Sequence, residues 1–377
     1  GTSKCVMLSE KNVVFAMNAA CGCVEFFPED TIVSCLPIHH TYELCCLLAG
    51  MNYGMNIAIN DSLKRVLKNF ALFEPTGLVL VPLFVSTMNK RIWDEARKGG
   101  KEKALRALIK VSRGLRAIHV DLRKTFFKQI TSAFGGRLEK IVCGGAPLNA
   151  DIVRFFDGIG ICTLNGYGIT ECAPIIAVNH NNFIVPKSVG PVLPIDDVII
   201  NDPNEDGEGE IYVKGPNVML GYYKDDEANK EAFTEDGYFK TGDYGKLEYT
   251  KEGDPILFIT GRLKNMSILS NGKNVYPEEI ENELVATPGV IDIIVYEGQS
   301  KRGMEHNAIV AEVYPDMEYI QKNNVTDIKA HLQKYVDDYN RNAVPYKKIG
   351  VLKVRDTEFP KNTLRKIMRF KLDMSID

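Results

Sequence analysis

The segment Asn165-Gly166-Tyr167-Gly168-Ile169-Thr170-Glu171 carries the densest chemistry in this 377-residue sequence. Glycines let a ligand approach the backbone closely, and the face of Tyr167 can stack on a purine. The Thr170 hydroxyl can hydrogen-bond a phosphate, and the Glu171 carboxylate is an oxygen donor of the kind Mg2+ takes. Taken alone, Asn-Gly-Tyr-Gly reads equally as a plain β-turn. Gly1-Thr2-Ser3-Lys4 has the composition of a loop that cradles phosphates ahead of a helix, although four terminal residues also read as a frayed end. In Tyr238-Phe239-Lys240-Thr241-Gly242-Asp243, a carboxylate following a Gly can take both hydroxyls of a ribose or simply close a turn. Thr260-Gly261-Arg262-Leu263-Lys264 and Ser270-Asn271-Gly272-Lys273-Asn274-Val275 lie where the composition changes, as an interdomain hinge would. In the tail, Pro360-Lys361-Asn362-Thr363-Leu364-Arg365-Lys366-Ile367-Met368-Arg369 offers lysines that can act as point charges on a transferring group. Gly-x-Ser-x-Gly and His-Glu-x-x-His are absent, so a hydrolase or metallopeptidase has no support.

These residues need a scaffold, and the apolar pattern supplies one. Thr31 to Pro37, Leu78 to Val85, Leu138 to Cys143 and Ile161 to Leu164 read as short buried strands. The last two run into Gly144-Gly145-Ala146-Pro147 and Asn165-Gly166-Tyr167-Gly168. Residues 10–25 and the charged stretch from Trp93 to Ile130 read as helical. Strands alternating with helices and ending in Gly-rich turns imply an α/β sheet with its ligand at the strand ends. Beyond about residue 185, Pro- and Gly-interrupted strands such as Gly209 to Val213 imply a small β-rich subdomain. From about 265 a helix at Pro277 to Leu284, strands at 290–296 and 308–314, and a helix near 325–340 imply a separate α+β domain. Residues 341–372 hold ten Lys and Arg against two Asp and Glu, a positive surface suited to a phosphate-rich ligand or a solvated basic face.

Composition narrows the field. A net charge of -3 from 46 Lys and Arg against 49 Asp and Glu argues against a nucleic-acid binder and against disorder. The longest apolar run, Gly77 to Val85, is far short of the roughly 20 residues of a membrane span. Nine Cys without C-x-x-C spacing read as buried thiols rather than disulfides or a zinc site. No signal peptide is visible, so the expected compartment is the cytoplasm. The chain opens without Met and reads as a fragment.

In order and spacing, these segments resemble the adenylate-forming superfamily of acyl-CoA synthetases, peptide-synthetase adenylation domains and luciferases. The resemblance covers essentially the whole chain. Gly1-Thr2-Ser3-Lys4 resembles the end of the family's phosphate loop, whose first half would lie upstream. Leu36-Pro37-Ile38-His39-His40-Thr41-Tyr42-Glu43 resembles the following motif in the form typical of long-chain fatty acyl-CoA synthetases. Gly144 to Pro147 matches the adenine-side loop and Tyr167 to Glu171 the aromatic–Gly–x–Thr–Glu motif. Gly221-Tyr222-Tyr223 and Thr241-Gly242-Asp243 match the next two, Gly261 to Lys264 resembles the hinge, and Lys366 sits where the family has its C-terminal catalytic Lys. Cys5 stands where a Gly usually follows the loop Lys, and Arg365 where many members have Gly.

The resemblance implies a partial large N-terminal domain followed by a small mobile α+β domain. Its expected boundaries are 1–184 for the AMP-binding α/β part, 185–260 for the β-subdomain, 261–264 for the hinge and 265–377 for the lid. It implies ATP, Mg2+ and coenzyme A as cofactors. Thr2, Ser3, Lys4, Gly144, Gly145, Ala146, Pro147, Asn165, Gly166, Tyr167 and Gly168 are then expected to line the nucleotide, with Asp243 and Arg262 on the ribose. Thr170 would contact phosphate, Glu171 would bind the metal, His40 would lie near the acyl carboxylate, and Lys366 would bridge the reacting oxygens. After rotation about Lys264, the Gly272–Lys273 loop would face the thiol. The implied activity is ATP-dependent conversion of a fatty acid to its adenylate and then to its coenzyme A thioester. Alternatives are an acyl-carrier-protein or aryl acid ligase, or a non-catalytic remnant completed by a separately encoded N-terminal half. The expected partners are small molecules, with no nucleic acid and no transmembrane segment, and with peripheral membrane contact left open.

Overall fold

A computed structural model describes residues 4–62, 65–268, 274–298, 308–362 and 367–376. The chain divides into two compact units: Gly1–Thr241 with Gly245–Ile259, and Gly242–Tyr244 with Thr260–Asp377.

The first unit opens with β1 (Val6–Met7) and α1 (Glu10–Cys23), which starts in a reciprocal cap between Ser9 and Asn12. There follow β2 (Thr31–Ser34), α2 (Thr41–Tyr53), β3 (Asn56–Ile59), α3 (Val66–Phe73), β4 (Gly77–Leu80) and α4 (Pro82–Lys98). Next come α5 (Glu102–Ala117), α6 (Arg123–Phe126), α7 (Lys128–Ser132), β5 (Lys140–Cys143), α8 (Ala150–Gly158), β6 (Cys162–Tyr167) and β7 (Ala177–Val178). Strands β3-β2-β4-β5-β6-β7 form one six-stranded sheet, parallel except for β7. Parallel pairing needs crossovers, which the helices supply. The run from Leu78 to Val85 is not one strand: β4 stops at Leu80, and Pro82 opens α4 from the first helical turn. Proline lacks the N–H a central strand needs, but its fixed φ suits a helix start.

The rest of the unit is β-rich. Strands β8 (Gly190–Pro191), β9 (Asp197–Asn201), β10 (Gly209–Lys214), β11 (Gly221–Tyr222), helix α9 (Asp226–Ala232), β12 (Phe239–Tyr249) and β13 (Pro255–Arg262) follow one another. Five of these strands form a sheet ordered β8-β13-β12-β10-β9, while β11 pairs with β1. Ile141, Phe156 and Ile159 lie at the centre of the core under the parallel sheet, and Ile211, Val213 and Leu257 at that of the β-rich part.

In the second unit, β14 (Ser267–Ile268) pairs with β15 (Asn274–Val275), followed by α10 (Pro277–Leu284), β16 (Val290–Gly298), β17 (Ala308–Pro315), α11 (Met317–Lys322), α12 (Ile328–Asn342) and β18 (Ile349–Val354). Strand β17 is central, antiparallel to β16 and parallel to β18. Helices α10 and α12 close one face over Val295, Ala311 and Val313.

Among the described residues of the basic tail, several cations are paired with carboxylates. Lys347 pairs with Glu279 at 2.7 Å, Arg355 with Glu312 at 2.6 Å and Lys361 with Asp292 at 2.6 Å, and Arg369 pairs with Glu281. The expectation of a positive ligand surface is corrected to this extent: these cations fasten the tail onto β16, β17 and α10 of its own unit.

Leu164, fully buried in β6 against Val24, Val178 and Leu193, tests the sheet's packing. Leu164→Ala is expected to lower the urea-unfolding free energy of the first unit by about 2–5 kcal/mol. A loss below about 1 kcal/mol would mean that this strand does not carry core packing.

Candidate active site

Because β2, β4, β5 and β6 run parallel, the segments that follow them leave the sheet at one carboxyl edge. Three sequence-distant motifs meet there: Cys35 to His40 after β2, Gly144 to Pro147 after β5, and Gly168 to Glu171 after β6. Asn-Gly-Tyr-Gly is not a turn, since Asn165, Gly166 and Tyr167 complete β6 and Tyr167 pairs with Ala177. The bend begins at Gly168, where a Cβ would stand 1.5 Å from the Pro174 carbonyl oxygen, so no other residue fits that backbone. Thr170 to Cys172 then form a single 3-10 turn that leaves Thr170 exposed and Glu171 half-buried. Gly145 has a φ of 86°, which accounts for a Gly in that loop, and Ala146 and Pro147 are exposed beside it. Asn165 is buried and donates to the Ser188 carbonyl at 3.3 Å.

The pairing of β1 with β11 brings the chain start to this edge. Val6 faces Tyr222, the Tyr223 N–H donates to the Cys5 carbonyl at 2.8 Å, and the Met219 N–H donates to the Glu171 carbonyl at 2.7 Å. Lys4 thereby sits with its ammonium 4.5 Å from the centre of the Tyr222 ring, and the Tyr222 hydroxyl donates to Glu171 Oε1 at 2.9 Å. Burial and the neighbouring Glu171 carboxylate raise the Tyr222 phenol's pKa, which keeps it protonated as a donor. Glu171 Oε2 has no partner among the described residues, so one carboxylate oxygen is held while the other is free. A half-buried carboxylate with one free oxygen suits Mg2+, which keeps most of its own waters and takes one or two protein oxygens. Tyr222 is the residue the sequence reading left out of the site; its only signal was the Gly221-Tyr222-Tyr223 motif.

The histidine segment is locked from beneath. His40 precedes the first turn of α2, with its ring 4.4 Å from that of His39. Tyr42 donates from its hydroxyl to the Val142 carbonyl at 3.1 Å and packs beneath Gly144. Glu43 is 1% exposed, accepts from the Ser34 hydroxyl and from the Leu36 N–H, and is pushed up to about 7 by burial. The flanking thiols are inert: Cys35 is pushed up to about 12 by burial and by Glu43.

In the second unit, Asp243 is buried and Arg262 exposed, and they pair at 3.1 Å. Gly242, before Asp243, has a φ of 70°. Lys264 lies in an exposed 3-10 turn, Leu263–Asn265. Thr2, Ser3, Gly272, Lys273 and Lys366 lie outside the described residues. On either side of residues 363–366 the chain is pinned: Lys361 bridges to Ile367, Met368 N–H donates to the Pro360 carbonyl at 2.8 Å, and Arg369 donates to the Val295 carbonyl at 2.8 Å.

The carboxyl edge of the parallel sheet thus gathers a glycine-rich loop, an aromatic on the last residue of β6, the Thr170 hydroxyl and a carboxylate braced by a tyrosine. The chain belongs to the AMP-binding enzyme family, whose pattern it matches over residues 1–223. It is 32% identical over 273 residues to the long-chain-fatty-acid–CoA ligase FadD15 of Mycobacterium bovis, a match covering 69% of this chain and 44% of that protein. It is 27% identical over 389 residues to the chloroplastic long-chain-fatty-acid–[acyl-carrier-protein] ligase AEE15 of Arabidopsis thaliana, covering 89% of this chain and 52% of the relative. The crystal structure of ATP-bound MatB from Rhodopseudomonas palustris shares the fold with a TM-score of 0.71 and 26% identity, over 98% of this chain and 65% of that one. The chain thus spans about half the length of the curated relatives it matches. Among the described residues, no helix is long and apolar enough to cross a membrane.

The Glu43 carboxyl gives a measurable pH signature. Its ordinary value is 4.5 and its folded value about 7, so between these limits only the folded state keeps the proton. Stability contributed by this group is complete below about pH 4.5 and falls as pH rises through about 7, by an amount on the order of 3 kcal/mol. Asp196 and Glu281 are also pushed up to about 7, so the difference between the protein and its Glu43→Gln variant is the quantity to follow. Unfolding free energies measured from pH 4 to 8 should show that difference shrinking with rising pH. Parallel curves would mean that Glu43 is ionised throughout.

Proposed function

We propose that the chain is the nucleotide-binding and lid portion of an ATP-dependent fatty acid ligase. In the first half-reaction a fatty carboxylate oxygen attacks the α-phosphorus of ATP; the bond to the β-phosphate bridging oxygen breaks, giving acyl-adenylate and pyrophosphate. In the second, the thiol of coenzyme A attacks the acyl carbon, AMP leaves, and the thiol proton passes to solvent. The observation that carries this reading is the convergence of Lys4, Tyr222 and Glu171 at the sheet edge that also holds Tyr167 and the Gly144 loop. Its support is membership of the AMP-binding family together with resemblance to long-chain fatty acid ligases.

In this reading Tyr167 stacks on adenine beside Gly144, Gly145, Ala146 and Pro147, and Thr170 hydrogen-bonds phosphate. Thr2, Ser3 and Lys4 cradle the outer phosphates, and Asp243 with Arg262 holds the ribose. Charge builds on phosphate oxygens during the transfer, so catalysis is mainly positioning and cation placement. Mg2+, when held by Glu171, supplies charge neutralisation on the phosphates. Tyr222 fixes the Glu171 rotamer, and His40 lies at the acyl carboxylate, steadied by Tyr42 and Glu43. Lys366 bridges the reacting oxygens; exchange of the second unit about Lys264 then withdraws it and presents the Gly272–Lys273 loop to the thiol. We place this activity in the cytoplasm; nine free thiols suit a reducing compartment.

The relative AEE15 favours one variant reading, in which the acceptor thiol belongs to an acyl carrier protein. Thioester formation from supplied acyl-adenylate, assayed with coenzyme A and with a phosphopantetheinylated carrier protein, separates the two.

Two measurements on the protein in its full natural length test the core of the reading. Fatty-acid-dependent exchange of pyrophosphate into ATP should fall at least about 100-fold in Thr170→Ala and in Glu171→Ala. No exchange with fatty acids from short to long chain would defeat the reading. Lys366→Ala should cripple that exchange and spare thioester formation from supplied acyl-adenylate. Equal damage to both steps would remove the domain-exchange part.

A further inference from the structure

Helix α5 has three faces where a surface helix of a globular protein has two. Leu105, Leu108, Ile109 and Ser112 turn to the core. The outward side splits into two lines at helical spacing: Lys103, Arg106, Lys110 and Arg113 form one, and Ala104, Ala107, Val111 and Gly114 form its neighbour, all exposed. The apolar line continues past the helix end, where Ile118 is 66% exposed and Val120 and Leu122 are exposed beside it. Residues 101–128 hold nine Lys and Arg against two Asp and Glu, within a chain whose net charge is -3. Arg106 pairs with Glu102 at 2.8 Å and lies over the Trp93 ring. Lys103, Lys110 and Arg113 have no carboxylate at ion-pair distance among the described residues.

Where this face ends, a groove of about 550 Å3 opens between α5, α8 and the segment before Pro186. Arg113, Arg116, Arg123 and Arg154 line it, against the single carboxylate Asp157. Asp157 is shared between Arg116 at 2.7 Å and Arg123 at 3.2 Å, Arg123 also pairs with Asp121 at 2.6 Å and Arg154 with Asp151 at 2.7 Å, and Arg113, which donates to the Arg154 carbonyl, is the groove arginine without a carboxylate partner among the described residues. Guanidinium groups around a concave surface match phosphate geometry. The groove borders Gly160 and Cys162 at the start of β6, a strand length of roughly 17 Å from Tyr167. It is therefore separate from the candidate active site.

We propose that α5 and residues 118–123 dock on an anionic lipid bilayer. The cationic line meets the headgroups, Val111, Ile118, Val120 and Leu122 enter the interface, and the arginine groove takes one lipid phosphate. The apolar line beside the cations selects this occupant over a soluble phosphate: a free anion would use the arginines and leave Ile118, Val120 and Leu122 in water. Cations flanking exposed apolar side chains along one helix are the signature of elements that lie in a membrane interface. The proposal is independent of the chemistry assigned to the carboxyl edge.

The test is co-sedimentation with vesicles of phosphatidylcholine alone and of phosphatidylcholine with about 30 mol% phosphatidylglycerol, at low salt and at about 0.5 M salt. Partitioning onto the anionic vesicles should exceed that onto neutral ones at least about tenfold and should collapse at high salt. K103E/K110E/R113E should lose at least about tenfold in anionic-vesicle binding, and I118S/V120S should also bind more weakly while keeping its salt dependence. All five substituted side chains are exposed, so an unchanged thermal melt separates lost docking from lost fold. Equal binding to both vesicle types, or wild-type binding by the charge-reversed variant, would overturn the proposal. So would saturable calorimetric binding of inorganic pyrophosphate that K103E/K110E/R113E abolishes, with I118S/V120S binding vesicles normally; that result would make the groove a site for a soluble anion.

Discussion

The short pairing of β1 with β11 is the constraint on which the candidate site depends. Two backbone-paired residues on each side fasten the chain start to a strand more than two hundred positions away. Through it Lys4 reaches the Tyr222 ring, and through Tyr222 the same pairing reaches Glu171. Each contact is modest by itself: a cation over a ring and a hydroxyl on a carboxylate each contribute on the order of 1 kcal/mol. Their value lies in orientation. A carboxylate held at one oxygen presents the other in a fixed direction, which positioning chemistry requires.

The parallel sheet supplies the second constraint. Strand direction sends the segments after β2, β5 and β6 to one edge, so histidines, glycines and the Thr-Glu pair meet without being near in sequence. Buried side chains hold these segments from behind. Tyr42 ties α2 to the end of β5, and Glu43 ties it to the end of β2. Gly168 is set by the Pro174 carbonyl, which occupies the space a side chain would need.

Charge plays a different part in each region. Around the tail, Lys361, Arg355 and Arg369 are matched to carboxylates of the same unit and act as fasteners. A removed partner there leaves a partly buried charge, which costs far more than a surface pair contributes. Along α5, by contrast, Arg106 and Arg116 are paired while Lys103, Lys110 and Arg113 face outward without a carboxylate partner among the described residues. The composition of the two stretches is alike; Arg116, Arg123 and Lys124 also meet carboxylates of other segments, and the difference lies in Lys103, Lys110 and Arg113, against which none is folded among the described residues.

The sequence by itself determined the local elements and the chemical kit. The helix at α1, the apolar runs that became β2, β5 and β6, and the proline start of α10 were legible, because spacing and helix-start signals act over a few residues. The motifs at 144–147 and 165–171 carry residue types that suit a nucleotide, and the sequence shows them for the same reason. Tertiary structure decided the rest. Apolar content alone does not separate strand from helix start, so Leu78 to Val85 divided at Pro82. The strand at 349–354 was hidden in a basic stretch because its pairing with β17 is long-range. Tyr222 became a bracket between Lys4 and Glu171 only when β11 paired with β1, a contact that no local pattern encodes because its free energy arises between segments that meet only on folding.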